Sequence, residues 1–164
     1  MFKAKKPTTE PDSMEKAYEY AVFLLSLRLR TEGEVREKMK GRGYHQNIVD
    51  DVIGQLSAQK YLDDQRYAEV FLDNLKKYKN FGFYGIKKKF MEKKLPSSII
   101  ESVLALGLTV DDEKIIAERF IKKEGLRIEN QEDKQKAARK LAAKGFRNEV
   151  IFQVVRARVA PNTF

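Results

Sequence analysis

Cysteine is absent from the 164 residues, which excludes disulfides, thiolate metal sites and a cysteine nucleophile and suits a reducing compartment. His45 is the single histidine. One such residue argues against histidine-based metal clusters and against a Ser-His-Asp triad, and its loop position predicts a solvated side chain. No apolar run is long enough to cross a bilayer, and Met1 to Asp12 lacks the apolar core of a signal peptide, so a soluble cytoplasmic protein is expected. Strand-type alternation is missing as well. The chain has no G-x-x-x-x-G-K-[ST] loop, and Gly82-Phe83-Tyr84-Gly85 is too aromatic and isolated to cradle a nucleotide. Asp63-Asp64 and Asp111-Asp112 could hold a divalent ion in a nuclease, but adjacent acids at a helix start read more simply as cap and dipole residues. The expectation is a protein with no catalytic residues, no metal and no cofactor.

What the chain does contain is a helical unit written three times at an offset of 51 residues. Val35, Ile86 and Ala137 share one register, followed by Met39, Phe90 and Leu141, then Tyr44, Leu95 and Phe146. Ile48, Ile99 and Val150 continue it, with Val49, Ile100 and Ile151, then Val52, Val103 and Val154, and Ile53, Leu104 and Val155. Such a period is the signature of a helical array in which each repeat buries its apolar face against its neighbours. The reading is an all-α protein of three tandem three-helix repeats forming an elongated, curved array. The repeats span 13–62, 63–110 and 111–160, flanked by a flexible segment at 1–12 and flexible residues 161–164.

Capping signals place the helices. Asp12 with Glu15 and Thr31 with Glu34 are possible capping boxes, and Gly43 suits the end of the second helix. Between them, Ala17, Tyr20, Ala21, Leu24, Leu25 and Leu27 or Arg28 form the apolar stripe of the first helix. The offset of 51 places Gly82 and Asp133 at the N-cap position of Thr31. The third helices are expected after Asn47, Ser98 and Glu149, with Ser98 and Glu101 as a box and Pro96 stopping the preceding helix. Opening helices of the second and third repeats begin at the paired acids. They align at an offset of 49, which pairs Ala68 with Ala117 and Phe71 with Phe120. The linker from Tyr78 to Gly85, with two glycines and four aromatics, is the expected flexible element.

The net charge of +9 points to a polyanionic neighbour, although a basic balance also serves solubility. The three repeats carry +1, +3 and +4 in chain order, so the excess grows along the chain. Lys76, Lys77, Lys79, Lys87, Lys88, Lys89, Lys93 and Lys94 fall within nineteen residues, opposed only by Glu92. Tyr78, Phe81, Phe83 and Tyr84 are interleaved with them, as where a surface tracks phosphates while rings meet bases or a partner. Phe81 and Phe83 serve equally well as plugs between repeats.

Ser26-Leu27-Arg28-Leu29-Arg30-Thr31, followed by Glu34-Val35 and the Met39 to Tyr44 segment, resembles the first repeat of the RecX family of recombination regulators. Tyr61-Leu62-Asp63-Asp64-Gln65-Arg66-Tyr67-Ala68, Gly82 ahead of Ile86, and Lys93-Lys94-Leu95 are similar to its second repeat. The resemblance runs from about Ala17 to Arg158. It departs at Lys94, where the family commonly has glycine, and at Thr31, where serine is usual. The resemblance implies a non-enzymatic regulator of DNA repair and the SOS response, and a monomer is expected. It would bind the RecA recombinase filament on single-stranded DNA and restrain its ATPase, strand-exchange and co-protease activities. Repeats bridging neighbouring protomers would gain avidity from modest contacts. The expected partner surface comprises Arg28, Arg30, Lys76, Lys77, Lys87, Lys88, Lys89, Lys93, Lys94, Arg139, Lys140 and Lys144. One of Arg28 and Arg30 is alternatively engaged with Glu32 or Glu34, while Arg147, Arg156 and Arg158 extend the basic surface of the third repeat. Two rival readings use the same residues differently: a sequence-indifferent DNA-binding protein and a helical scaffold for peptides, with an apolar groove near Phe81 to Tyr84.

Overall fold

A computed structural model describes residues 6–156, and all regular structure among them is helical. The nine helices are α1 (Met14–Leu27), α2 (Glu32–Arg42), α3 (Gln46–Ala58), α4 (Asp64–Tyr78), α5 (Phe83–Glu92), α6 (Ser97–Gly107), α7 (Val110–Lys123), α8 (Gln131–Ala143) and α9 (Asn148–Arg156). Residues 1–5 and 157–164 lie outside the described region, as do the frayed termini expected there and Arg158.

The repeated register is the core register. Val35, Ile86 and Ala137 are buried, as are Met39, Phe90 and Leu141, then Tyr44, Leu95 and Phe146. Only Ile99 and Val155 among the aligned apolar positions are half-buried instead. The same period therefore places α2, α5 and α8 in equivalent roles, and α3, α6 and α9 likewise. In α1, Ala17, Ala21 and Leu24 are buried while Leu27 faces outward, so the stripe ends one turn before the helix does.

Each second helix stops at a residue in the left-handed region. Gly43 has φ +97° and Gly145 φ +81°, and Lys94 adopts φ +59°. The exchange of glycine for lysine at Lys94 is thus accommodated by strain at that residue while the helix end is kept. It is this turn, two residues ahead of Pro96, that stops α5.

Several helix starts shift from their expected places. Ser13 caps α1, its Oγ accepting from the N–H of Lys16, because Asp12 is instead held 2.6 Å from Nδ1 of His45. The Thr31 and Glu34 box forms as read, with both bonds present. Asn130, not Asp133, caps α8, since the loop before it supplies an asparagine and the helix gains a turn. Helices α3, α6 and α9 begin at Gln46, Ser97 and Asn148, two residues ahead of the expected starts. Ser98 therefore lies inside the first turn and forms no box. Of the paired acids, Asp63 accepts from the N–H of Arg66 at 2.9 Å, and Asp112 completes a capping box with Thr109.

Compact packing divides the chain into two units. One runs through Tyr67 and takes in Glu92–Pro96; the other takes Ala68–Met91 and continues from Ser97. The turn Glu92–Pro96 joins the first unit because it packs on the start of α2. Thr31 Oγ1 donates to the Lys93 carbonyl at 2.5 Å, and a Cβ on Gly33 would lie 2.6 Å from the Lys94 oxygen. Asp64 closes this seam by accepting from the N–H of Glu32 at 2.9 Å.

The second unit repeats the seam 51 residues later. Gly82 donates its N–H to the Lys144 carbonyl at 3.0 Å, and Tyr84 to that of Gly145 at 2.8 Å. Glu113 takes the place of Asp64, accepting from the N–H of Phe83 at 2.9 Å. It also accepts from the N–H of Arg147 at 2.8 Å and from its Nε at 2.5 Å. The linker expected to be flexible is thus bound on both sides. A Cβ on Gly82 would lie 2.2 Å from the Phe146 Cα. Arg119 adds hydrogen bonds to the Lys76, Lys77 and Lys79 carbonyls and to Asn80 Oδ1, satisfying carbonyls that a helix C-terminus leaves open.

On the first repeat the corresponding carbonyl, Arg42, receives the N–H of Thr8 at 2.7 Å, and Pro11 accepts from His45. The segment before α1 thereby occupies the place that a preceding repeat would take, as terminal caps of helical arrays do.

Candidate partner-binding surface

The twelve basic residues singled out from the sequence fall into two groups. Five are engaged within the fold. In the first unit Arg28 pairs with Glu34 at 3.0 Å, Arg30 Nε donates to the Leu24 carbonyl at 3.0 Å, and Lys93 approaches Glu34 at 3.8 Å. Lys76 donates to the Gly107 carbonyl at 2.7 Å and pairs with Asp112 at 3.2 Å. Lys140 pairs with Glu124 at 3.5 Å.

Glu34 is the hub of the first group. Burial raises its pKa, but Arg28, the N–H of Thr31 and Lys93 together outweigh this and hold it below the usual carboxylate range. The Glu34 hydrogen bond in turn raises Arg28. These cations fix the α1–α2 connection and the Lys93–Lys94 turn.

The remaining seven differ in exposure and in their neighbours. Lys88, Lys94 and Arg139 are exposed and Lys87 is half-buried. Lys77, Lys89 and Lys144 lie against rings: Lys77 over Tyr78 at 5.1 Å, Lys89 and Lys144 over Phe81 at 5.6 and 5.5 Å. Lys144 also lies 5.8 Å from the Phe120 ring. Phe81 therefore brings a lysine from α5 and one from the end of α8 to one place in the second unit, an arrangement that sequence spacing did not reveal.

The four interleaved aromatics separate by depth. Phe81 and Phe83 are half-buried, as plugs between the second and third repeats should be, whereas Tyr78 and Tyr84 are 66% and 59% exposed. Two phenols beside several lysines offer stacking faces within a field that attracts phosphate. Arg147 belongs to the interior instead, its guanidinium lying 4.9 Å from the Phe83 ring while Nε holds Glu113.

No cluster of three or more metal-ligating side chains occurs among the described residues, and no helix there is long and apolar enough to cross a membrane. The helices define an all-helical repeat protein with a basic, ring-bearing surface. Residues 17–56 match the model of the RecX first three-helix domain. A regulatory protein RecX of Finegoldia magna is 30% identical over 142 residues, covering 84% of this chain and 69% of the relative. That of a Mycobacterium species (strain JLS) is 28% identical over 162 residues, covering 94% and 87%. The protein of Geobacillus kaustophilus is 28% identical over 88% of this chain. This chain spans about half the length of that relative, 54%. The crystal structure of RecX from Lactobacillus salivarius superimposes with a TM-score of 0.78 at 24% identity, covering 88% of this chain and 95% of the other. The chain belongs to the RecX family, whose relatives carry the name regulatory protein.

Proposed function

We propose that this chain binds the RecA recombinase filament on single-stranded DNA and restrains its ATP hydrolysis, strand exchange and co-protease action as a cytoplasmic monomer. The observation that carries the reading is the convergence of Lys89 and Lys144 on Phe81, near exposed Lys88 and Tyr84, within a family fold. A nucleoprotein filament presents phosphates and acidic protein surface, both of which reward such a face. The contacts are made by Lys77, Lys87, Lys88, Lys89, Arg139 and Lys144 of the second unit and by Lys94 of the first, while Arg28, Arg30 and Lys93 hold loops within the first unit and Lys76 and Lys140 within the second. Repeats 13–62, 63–110 and 111–160 would each meet a different part of the filament, and inhibition is steric, with no chemistry by this chain.

Substoichiometric protein should slow DNA-dependent ATP hydrolysis by the cognate recombinase, and no effect at excess protein would refute the reading. Replacing Lys87, Lys88 and Lys89 together by glutamate should weaken inhibition at least about tenfold while the helical circular dichroism is unchanged. Unaltered inhibition would move the contact to another face. Sequence-indifferent binding to bare DNA draws on the same lysines. Tight capture of a free oligonucleotide that collapses with salt favours that rival, whereas weak capture alone and strong capture on filaments favours the regulator.

A further inference from the structure

Independently of the lysine-rich surface, α8 and α9 leave between them a groove of about 380 Å³. Ala138, Ile151 and Val155 line it, and Phe152 stands at its edge, 60% exposed. Its residues depart from those of the sibling repeats. In the first repeat the equivalent positions are Arg36, Gln46 and Asp50, and they form a polar lock: Arg36 pairs with Asp50, and Gln46 donates to the same carboxylate at 2.8 Å. An offset of 102 turns these three into Ala138, Asn148 and Phe152. The second repeat retains an acid, Glu101, at the position of Phe152. It also keeps a cation, Lys87, at the position of Arg36, so only the third repeat has an alanine and an exposed ring in place of the charged pair.

The rim has one sign. Lys134 and Arg156 border the groove, and Lys114 borders the shallow depression on the other side of Phe152. None of these three has an acidic partner among the described residues, and the other lining residues are neutral.

We propose that this groove is a docking site for an acidic peptide segment carrying a bulky apolar anchor. The anchor enters between Ile151 and Val155 beside Phe152, and flanking carboxylates meet Lys134, Arg156 and Lys114, the helix-in-groove or extended-peptide mode of recognition. Nucleic acid fits less well, because an aliphatic floor offers no π face and Arg156 lies 5.2 Å from the Phe152 ring. Residues 157–164 bring Arg158 and no acid, and a second copy brings a net charge of +9; both are mismatched to a cationic rim.

The test uses the full chain and a fluorescein-labelled amphipathic peptide of about sixteen residues, with leucine along one face and glutamate elsewhere. Its twin carries lysine for glutamate, and an oligothymidylate serves as the nucleic-acid probe. Fluorescence anisotropy should show the acidic peptide binding and the basic twin not. Phe152→Glu, which restores the acid of the sibling repeats at an exposed position, should weaken binding at least about tenfold, and Lys134→Glu several-fold. Amide shifts caused by the peptide should cluster on α8 and α9. Absence of binding by the acidic peptide, or equal binding by Phe152→Glu, overturns the proposal. So does oligothymidylate binding that depends on Phe152 when peptide binding does not, or self-association that Phe152→Glu abolishes. A deletion of 157–164 that raises peptide affinity about tenfold or more would assign the groove to the chain's own segment and overturn it too.

Discussion

Glu113 is fully buried because three N–H groups converge on it, two from the backbone and one from Arg147. Removing one partner of such a pair leaves the other desolvated and unanswered, at a cost of about 3–5 kcal/mol. Glu113→Ala should therefore lower unfolding free energy by about that much, with Glu113→Gln intermediate because the amide oxygen still accepts. Urea denaturation checks this, and a loss within experimental error would mean the bonds contribute nothing. Asp64 holds the equivalent place in the first unit, where burial lifts its pKa above the usual carboxylate range, the Glu32 N–H opposes this, and Glu32, Asp63 and Glu34 raise it further. A raised folded pKa means stability that is complete below the unfolded pKa and is lost as pH rises through the folded one. Between pH 7 and about 4 the native chain should gain stability from Asp64 on acidification, and Asp64→Asn should lack that gain. Glu34, depressed, acts with the opposite sign and only at lower pH. Parallel pH profiles for the two proteins would contradict this assignment.

At the scale of the helical elements, the seam between repeats is a backbone device. Side chains are excluded where Gly82 meets Phe146, so Gly82→Ala must move one backbone past another and should cost more than about 2 kcal/mol. Reversible thermal unfolding gives the value, and a neutral outcome would show that the close approach is dispensable. The left-handed turn at Lys94 carries the opposite lesson. A lysine there costs about 1 kcal/mol relative to glycine, so Lys94→Gly should raise stability by about 0.5–1 kcal/mol in the same measurement. Gly43 and Gly145 already use the residue that turn favours. The short segment from Pro7 to Asp12 caps the first repeat through Thr8 and Pro11, a job done elsewhere in the chain by a whole helix start.

Across the whole molecule, charge is partitioned between construction and display. Arg28, Arg30, Lys76, Lys93 and Lys140 hold carbonyls or carboxylates, whereas Lys88 and Arg139 reach solvent. Filament capture should therefore fall with added salt, and the triple glutamate variant of Lys87, Lys88 and Lys89 should show a shallower salt slope than the native chain. A slope unaffected by the substitution would place the polyanion contact elsewhere.

Period and burial were legible in the sequence because an apolar column at a fixed offset has only one economical explanation, a repeated core. Thr31 with Glu34 and Gly43 were equally legible, since local hydrogen-bonding chemistry dictates them. Asp12 and Asp133 misled because a cap is decided by competition among neighbours, and Ser13 and Asn130 were the better placed. The site divided along the same line: the sequence determined that lysines and rings share one span and that the chain is basic. Only tertiary structure decided which cations face inward. That choice depends on carbonyls and acids brought from residues far along the chain, such as Gly107 to Lys76 and Lys144 to Phe81, and no local pattern encodes those distances.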